Sequence, residues 1–250
     1  MVRVHPTALI EPTVSLGTGC EVGPFCRFEG RVEVGPNCRF GTGVCLGSRP
    51  MDRKFQAEET AVRIGSGNIF HDYSTVSRSV GEGTATVIGD NNYIMAYVHI
   101  AHNCRIGSGC ILTNGVQLAG HVEVFDQANL GGLVGVHQFC RIGRLAMVGA
   151  GSYVNKDIPP FMLAAGNPCR VRGLNLVGLR RAGISDSALS LLKQAFRIIY
   201  RSNYNLAQAL KLIENELSGK TAGIELAELL EFCHSSKRGI ELRTGPELLV

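Results

Sequence analysis

From Val4 onward, every sixth residue is apolar with a persistence that few folds can use. Val4, Ile10, Leu16, Val22, Phe28, Val34, Phe40 and Leu46 open the series. Ile64, Phe70 and Val76, then Ile88 through Val154, continue it in the same phase, and only Asp52, Glu58 and Glu82 break it. A helix repeats at about 3.6 residues and a strand at about two, so neither generates a strict six. Short strands that each send one aliphatic side chain inward, joined by turns, do. The sequence therefore predicts a mainly β chain, a solenoid of six-residue repeats over residues 1–160. Two polar excursions, 48–63 and 77–87, replace whole repeats, so the phase survives them. Long loops on a rigid scaffold are natural places for binding residues.

Gly often follows the aliphatic position, as at Gly23, Gly41, Gly65, Gly107 and Gly131. This predicts a tight corner with unusual backbone angles. Cys20, Cys26, Cys38, Cys104, Cys110 and Cys140 all lie four residues past it. Six of nine Cys in one phase read as small, soft core fillers rather than metal or redox groups. The odd Cys count, the lack of a CxxC pair and an N-terminus without an apolar leader predict a cytoplasmic location. A net charge of +4 suits an acidic partner or a phosphorylated substrate. No basic stripe interleaved with aromatics argues for nucleic acid, and no apolar run reaches the roughly 18–20 residues of a membrane span.

After Asp157 the period stops at Pro159-Pro160 and Gly166-Asn167-Pro168. The remainder, 161–250, reads as a C-terminal α-helical domain. Ser185-Asp186 can cap a helix carrying Leu189, Leu192, Phe196 and Ile199. Further helices are expected near Leu206 to Leu217 and Ile224 to His234, the whole shielding the last coil of the solenoid.

The period resembles that of the hexapeptide-repeat acyltransferases, whose fold is a left-handed parallel β-helix with three repeats per triangular coil. That resemblance implies that residues 18 apart stack. Four of the seven His then fall together: His99 at the end of one repeat, His102 two residues after Ile100, His121 three after Leu118, and His137 one after Val136. Gly120 would stack on His102, and Gln138 on Gly120. Such a cluster suits acid–base chemistry, since His titrates near neutrality and can take a proton from a hydroxyl. A Gly on the adjacent coil leaves an N–H open to a developing oxyanion. Zinc is the rival reading, but the His-x4-His pair of the zinc-binding carbonic anhydrases of this fold is missing, and no metal is expected.

The segments His99-Ile100-Ala101-His102, Leu118-Ala119-Gly120-His121 and Val136-His137-Gln138-Phe139-Cys140, followed by Pro159-Pro160 and Gly166-Asn167, resemble the UDP-N-acetylglucosamine acyltransferase family over essentially the whole chain. The resemblance implies transfer of a 3-hydroxyacyl group from acyl carrier protein to the sugar 3-hydroxyl, the first step of lipid A synthesis. It implies no cofactor beyond the carrier's phosphopantetheine thioester, and a homotrimer with the site between subunits. It makes His102 the general base and Gly120 the oxyanion donor. His99, His121, His137 and Gln138 line the site, Asp52 and Lys54 touch acyl chain or sugar, Asn175 and Arg181 hold the nucleotide, and Ala150 sets acyl length.

Several positions depart from the family. Asn103 stands where Asp usually follows the base, Val177 where Glu meets the nucleotide, and Met51 where Gln precedes Asp52. The second loop, His71 to Arg78, keeps only part of the family's pattern. These changes leave open an N-acyltransferase acting on a related amino-sugar nucleotide, and a non-catalytic protein that binds acyl carrier or nucleotide sugar.

Overall fold

The computed structural model describes residues 1–217 and 223–242. Residues 218–222 and 243–250 of the expected C-terminal domain lie outside the described residues. The chain winds into a left-handed parallel β-helix of triangular section, with ten-, eight- and seven-stranded sheets as its three faces. The chain visits them in that order, coil after coil. Along the regular stretch each strand pairs in parallel with the strand 18 residues on: His99 with Gln117, Gln117 with Gly135. The first loop lengthens one coil to 30 residues, pairing Arg39 with Ile69, and the second lengthens the next to 24, pairing Ile69 with Tyr93. Both excesses are multiples of six, which is why the aliphatic phase survives.

The aliphatic positions fill the axis. Leu46, Ile94, Ile100, Leu112, Leu118 and Leu130 are fully buried, and each such side chain contributes about 1.5–3 kcal/mol by leaving water. Phe28, Phe40 and Phe70 widen the early coils, with ring centroids 5.0 and 5.1 Å apart. The Cys phase does more than fill space. Cys20, Cys38, Cys104 and Cys110 point their thiols at carbonyls of the following coil, at 3.1–3.2 Å. Burial pushes the Cys104 and Cys110 thiols up to about 12. Asn68 and Asn92 occupy the same phase, fully buried. The Asn92 N–H donates to Asn68 Oδ1 at 2.9 Å, and the Cys110 N–H to Asn92 Oδ1 at 2.7 Å. These side chains satisfy turn groups that no strand partner reaches.

The glycines after the aliphatic position have a different cause from the one expected. Except at Gly47, whose own backbone is left-handed, the left-handed residue falls two places later, at Gly19, Asn37, Tyr73, Asn103 and His121 among others. What requires glycine is the neighbouring coil: a Cβ on Gly35 would stand 2.7 Å from the Gly65 carbonyl carbon and 2.9 Å from the Ser66 nitrogen.

The loops are shorter than predicted, because their C-terminal ends join the seven-stranded sheet. Ala61–Ile64 and Ala85–Ile88 pair residue for residue, with Val62 and Thr86 fully buried. The ten-stranded sheet also continues past residue 160 through Met162–Ala165 and an antiparallel partner, Arg170–Leu174, so the expected boundary falls inside the stack. Among the described residues four helices follow: α1 (Leu176–Arg181), α2 (Asp186–Tyr200), α3 (Leu206–Leu217) and α4 (Ile224–His234). The three expected helices are α2, α3 and α4, and the Ser185 hydroxyl caps α2 by accepting from the Ala188 N–H. Beyond α4 the chain returns to the solenoid, where Asp157 donates its N–H to the Gly239 carbonyl and accepts from the Ser236 hydroxyl.

Gly35→Ala is expected to destabilise the fold by about 1–3 kcal/mol through overpacking, lowering Tm by roughly 2–4 °C per kcal/mol. Gly173→Ala, whose Cβ would meet nothing within 4 Å, is the control in the same thermal melts.

Candidate active site

Both loops leave the prism at one corner, between the eight- and seven-stranded sheets. Arg49–Thr60 connects Cys45–Ser48 to Ala61–Ile64, and Arg78–Thr84 connects Thr75–Ser77 to Ala85–Ile88. Three tight turns continue this corner in the next coils, and their equivalent positions form columns. His102, Gly120 and Gln138 stack in one, and Asn103, His121 and Phe139, all with left-handed backbone, stack in the next.

Glycine at 120 lets the His102 ring lie against the turn above it. A Cβ there would stand 2.5 Å from His102 Cε1 and 2.6 Å from Nε2. His102 is mostly buried. Its Nδ1 lies 2.9 Å from Asn103 Oδ1, and its Nε2 lies 4.0 Å from Asp52 Oδ2. His121 meets the His102 ring edge-on at 5.3 Å and stacks on Phe139 at 4.6 Å. His99 projects from the eight-stranded face beside the corner, with Nδ1 2.8 Å from Thr75 Oγ1. His137 stands one coil above His121, and Arg238 directs Nη2 at its Nδ1 across 3.1 Å. Burial, then the proximity of His102, holds the imidazoles of His99 and His121 below the usual histidine range.

The first loop is anchored by buried Phe55, with Arg49 and Arg78 stacked over its ring at 5.5 and 5.4 Å. Asp52 accepts from the Lys54 N–H at 2.8 Å, which turns the loop and keeps Asp52 against the histidines while Lys54 extends into solvent. A groove of about 630 Å³ runs from His121 and Phe139 toward Arg141, Lys237 and Arg238. Among the described residues no group of His, Cys, Asp or Glu converges as a metal site.

Three expected site residues stand elsewhere on the chain. Ala150 is exposed on the turn between the ten- and eight-stranded sheets. Asn175 caps α1 and donates to the Leu145 carbonyl at 2.8 Å, at the corner between the seven- and ten-stranded sheets, and Arg181 is exposed at the end of that helix. Arg238, Thr75 and Val80 bear no mark of the site in the sequence, and Phe139 stands out there only as part of the family-like segment Val136 to Cys140. Arg238 arrives from 101 residues along the chain, and the others occupy ordinary turn or strand positions.

A domain described as UDP N-acetylglucosamine O-acyltransferase, domain 2, matches residues 157–241, and a bacterial transferase hexapeptide domain of six repeats matches residues 85–120. A Gloeothece citriformis protein named acyl-[acyl-carrier-protein]–UDP-N-acetylglucosamine O-acyltransferase is 45% identical over 87% of this chain and 77% of its own length. A Burkholderia mallei protein of the same name is 41% identical over 96% and 99%. Among solved structures, the UDP-N-acetylglucosamine acyltransferase of Bacteroides fragilis superposes with a TM-score of 0.85 at 32% identity, covering 95% of this chain and 99% of that one. The Francisella novicida enzyme gives 0.84 at 30%, covering 97% and 94%.

Imidazoles kept neutral by the fold favour it above their unfolded pKa of roughly 6.5, and that contribution is lost as pH falls through the depressed values. Titration of the ring C–H resonances is therefore expected to place the His99 and His121 midpoints below about 6.5.

Proposed function

The chain belongs to the UDP-N-acetylglucosamine O-acyltransferase family, and on that premise we propose how its own residues carry the reaction. It is an acyl-[acyl-carrier-protein]–UDP-N-acetylglucosamine O-acyltransferase, which moves a 3-hydroxyacyl chain from acyl carrier protein to the sugar 3-hydroxyl and so opens lipid A synthesis. The observation that carries the residue assignment is the packing of the His102 ring directly against Gly120.

Nε2 of His102 accepts the proton of the sugar 3-hydroxyl as its oxygen attacks the thioester carbon. The Gly120 N–H, which meets no acceptor among the described residues, donates to the resulting oxyanion. When the intermediate collapses, the C–S bond breaks and the proton on Nε2 passes to the departing phosphopantetheine sulfur. His121, neutral and wedged between His102 and Phe139, keeps the base from rotating away. His99, His137 and Gln138 line the approach, while Asp52 and Lys54 reach acyl chain or sugar from the first loop.

Asn175 and Arg181 as nucleotide contacts, and Ala150 as the length-setting residue, stand on the other two corners of the prism. One pocket collects all three corners only if neighbouring copies supply them, and a closed ring of three identical chains does so without leaving an open face. An exposed ridge of Phe25, Tyr73, Tyr97 and Leu133, with Tyr73 and Tyr97 stacked at 5.5 Å, supports burial against a second copy. Nine free cysteines suit a reducing cytoplasm, and no described helix is long and apolar enough to cross a membrane.

His102→Ala is expected to lower turnover by about 10²–10⁴ with the fold intact, measured by mass spectrometry of product and circular dichroism. Gly120→Ala, which displaces the ring, should lose at least about tenfold, since such placement governs rate steeply. Wild-type turnover in either variant removes that residue from the mechanism. Sedimentation is expected to give a trimer that Tyr97→Glu dissociates with loss of activity; a fully active monomer would contradict the shared site.

A further inference from the structure

Asn103 reaches in two directions. Its Oδ1 faces His102 Nδ1 at 2.9 Å and accepts from the Val80 N–H at 2.9 Å, while its Nδ2 donates to the Val80 carbonyl at 3.0 Å. Its own N–H donates to Oγ1 of Thr86, which is fully buried. The paired bonds to Val80 decide which end of the amide is oxygen: a flipped amide would set donor against donor and acceptor against acceptor. The atom facing His102 is therefore a carbonyl oxygen, which can only accept, so Nδ1 carries the proton and Nε2 keeps its lone pair.

We propose that Asn103 is a positioning residue that holds His102 in the Nδ1–H tautomer, and that the 78–84 loop is built, through Val80, for an amide at this place and not a carboxylate. The inference deepens the reading of His102 as general base and rests on it. An Asp here could accept from both His102 and the Val80 N–H. Its second oxygen, however, would then face the Val80 carbonyl at about the same 3.0 Å now bridged by an N–H, with no proton between them. The residue that orients the base is thus also the latch of the second loop. The loop is further tied to the first by the Gly83 N–H donating to the Glu59 carbonyl at 3.0 Å. The groups facing His102 are Asp52 from the first loop, His99 from the adjoining strand, His121 from the next coil and Asn103 itself.

The test uses full-length protein with ¹⁵N-labelled histidine, its His102 signals identified by their loss in His102→Gln. Wild type is expected to show a protonated Nδ1 and a bare Nε2. Asn103→Ala should lose that preference and drop kcat/KM at least about tenfold, as misoriented bases do. Asn103→Asp should keep the tautomer, move the acid limb of the kcat/KM profile up by about one pH unit, and accelerate amide hydrogen exchange across 78–84. A protonated Nε2 in wild type, an unchanged tautomer in Asn103→Ala, or unchanged loop exchange in Asn103→Asp overturns the proposal. Should Asn103→Ala fail to fold, wild type and Asn103→Asp decide the matter. Full activity of His102→Gln would instead overturn the role of His102 as base, while the tautomer measurement still judges Asn103.

Discussion

Parallel strands in this prism hydrogen-bond only to the coil before and the coil after. Each coil must therefore bring its three strands back to the same three directions, with one aliphatic side chain on the axis at every face. The two lengthened coils, of 30 and 24 residues, add whole repeats and so keep the aliphatic phase, while the last coil, which pairs Val148 with Ala164, is two residues short of eighteen and marks where that phase ends. This constraint places the chemistry. Extra residues can leave only where a corner tolerates them, and both loops leave at the corner that carries His102, Gly120 and His121. The scaffold fixes the turns to within a hydrogen bond of their neighbours, and the loops add what the turns lack: a carboxylate opposite the base and a peptide group behind it.

In the proposed trimer, the faces and corners divide the labour between one copy and its neighbours. The proposed base and its supports come from a single corner, so they are set by intrachain stacking alone. Asn175, Arg181 and Ala150, proposed to hold the nucleotide and set acyl length, stand on the other corners, and the proposed trimer would bring them to His102 from neighbouring chains. In that proposed assembly, acid–base geometry answers to coil register and nucleotide reading to packing between copies. The departures at Asn103 and Val177 fall on opposite sides of that division. One is matched by a loop of the same chain, while Val177 is half-exposed at the start of α1 and nothing among the described residues compensates for it.

The repeat was legible because the inward position tolerates little but aliphatic or aromatic side chains, so its phase stands out over more than twenty coil faces. The His102–Gly120–His121 juxtaposition was legible for the same reason, since a step of 18 along the sequence is one step up the prism. Less was readable where residues answer to the adjacent coil rather than to their own backbone. The glycines after each aliphatic residue looked like turn formers, yet they are spacers that let the next coil approach. The ends of both loops looked polar and irregular, yet Ala61–Ile64 and Ala85–Ile88 find each other and become strands. Arg238 and Val80 carry no periodic mark, because their contacts with the site depend on where a loop and a returning segment happen to close.

The cysteine column gives the molecule an internal clock of opening. Its thiols are hydrogen-bonded across coils and shut away from solvent, so an alkylating reagent reaches them only when a coil comes apart. Cys20, Cys26 and Cys38 lie in the first coils, Cys104, Cys110 and Cys140 in the later ones, Cys169 beyond the last regular coil and Cys233 within α4 of the cap. In a structure whose units touch only their neighbours, fraying starts at an end and travels inward. The order in which these sulfurs become reactive therefore records which end of the prism gives way first.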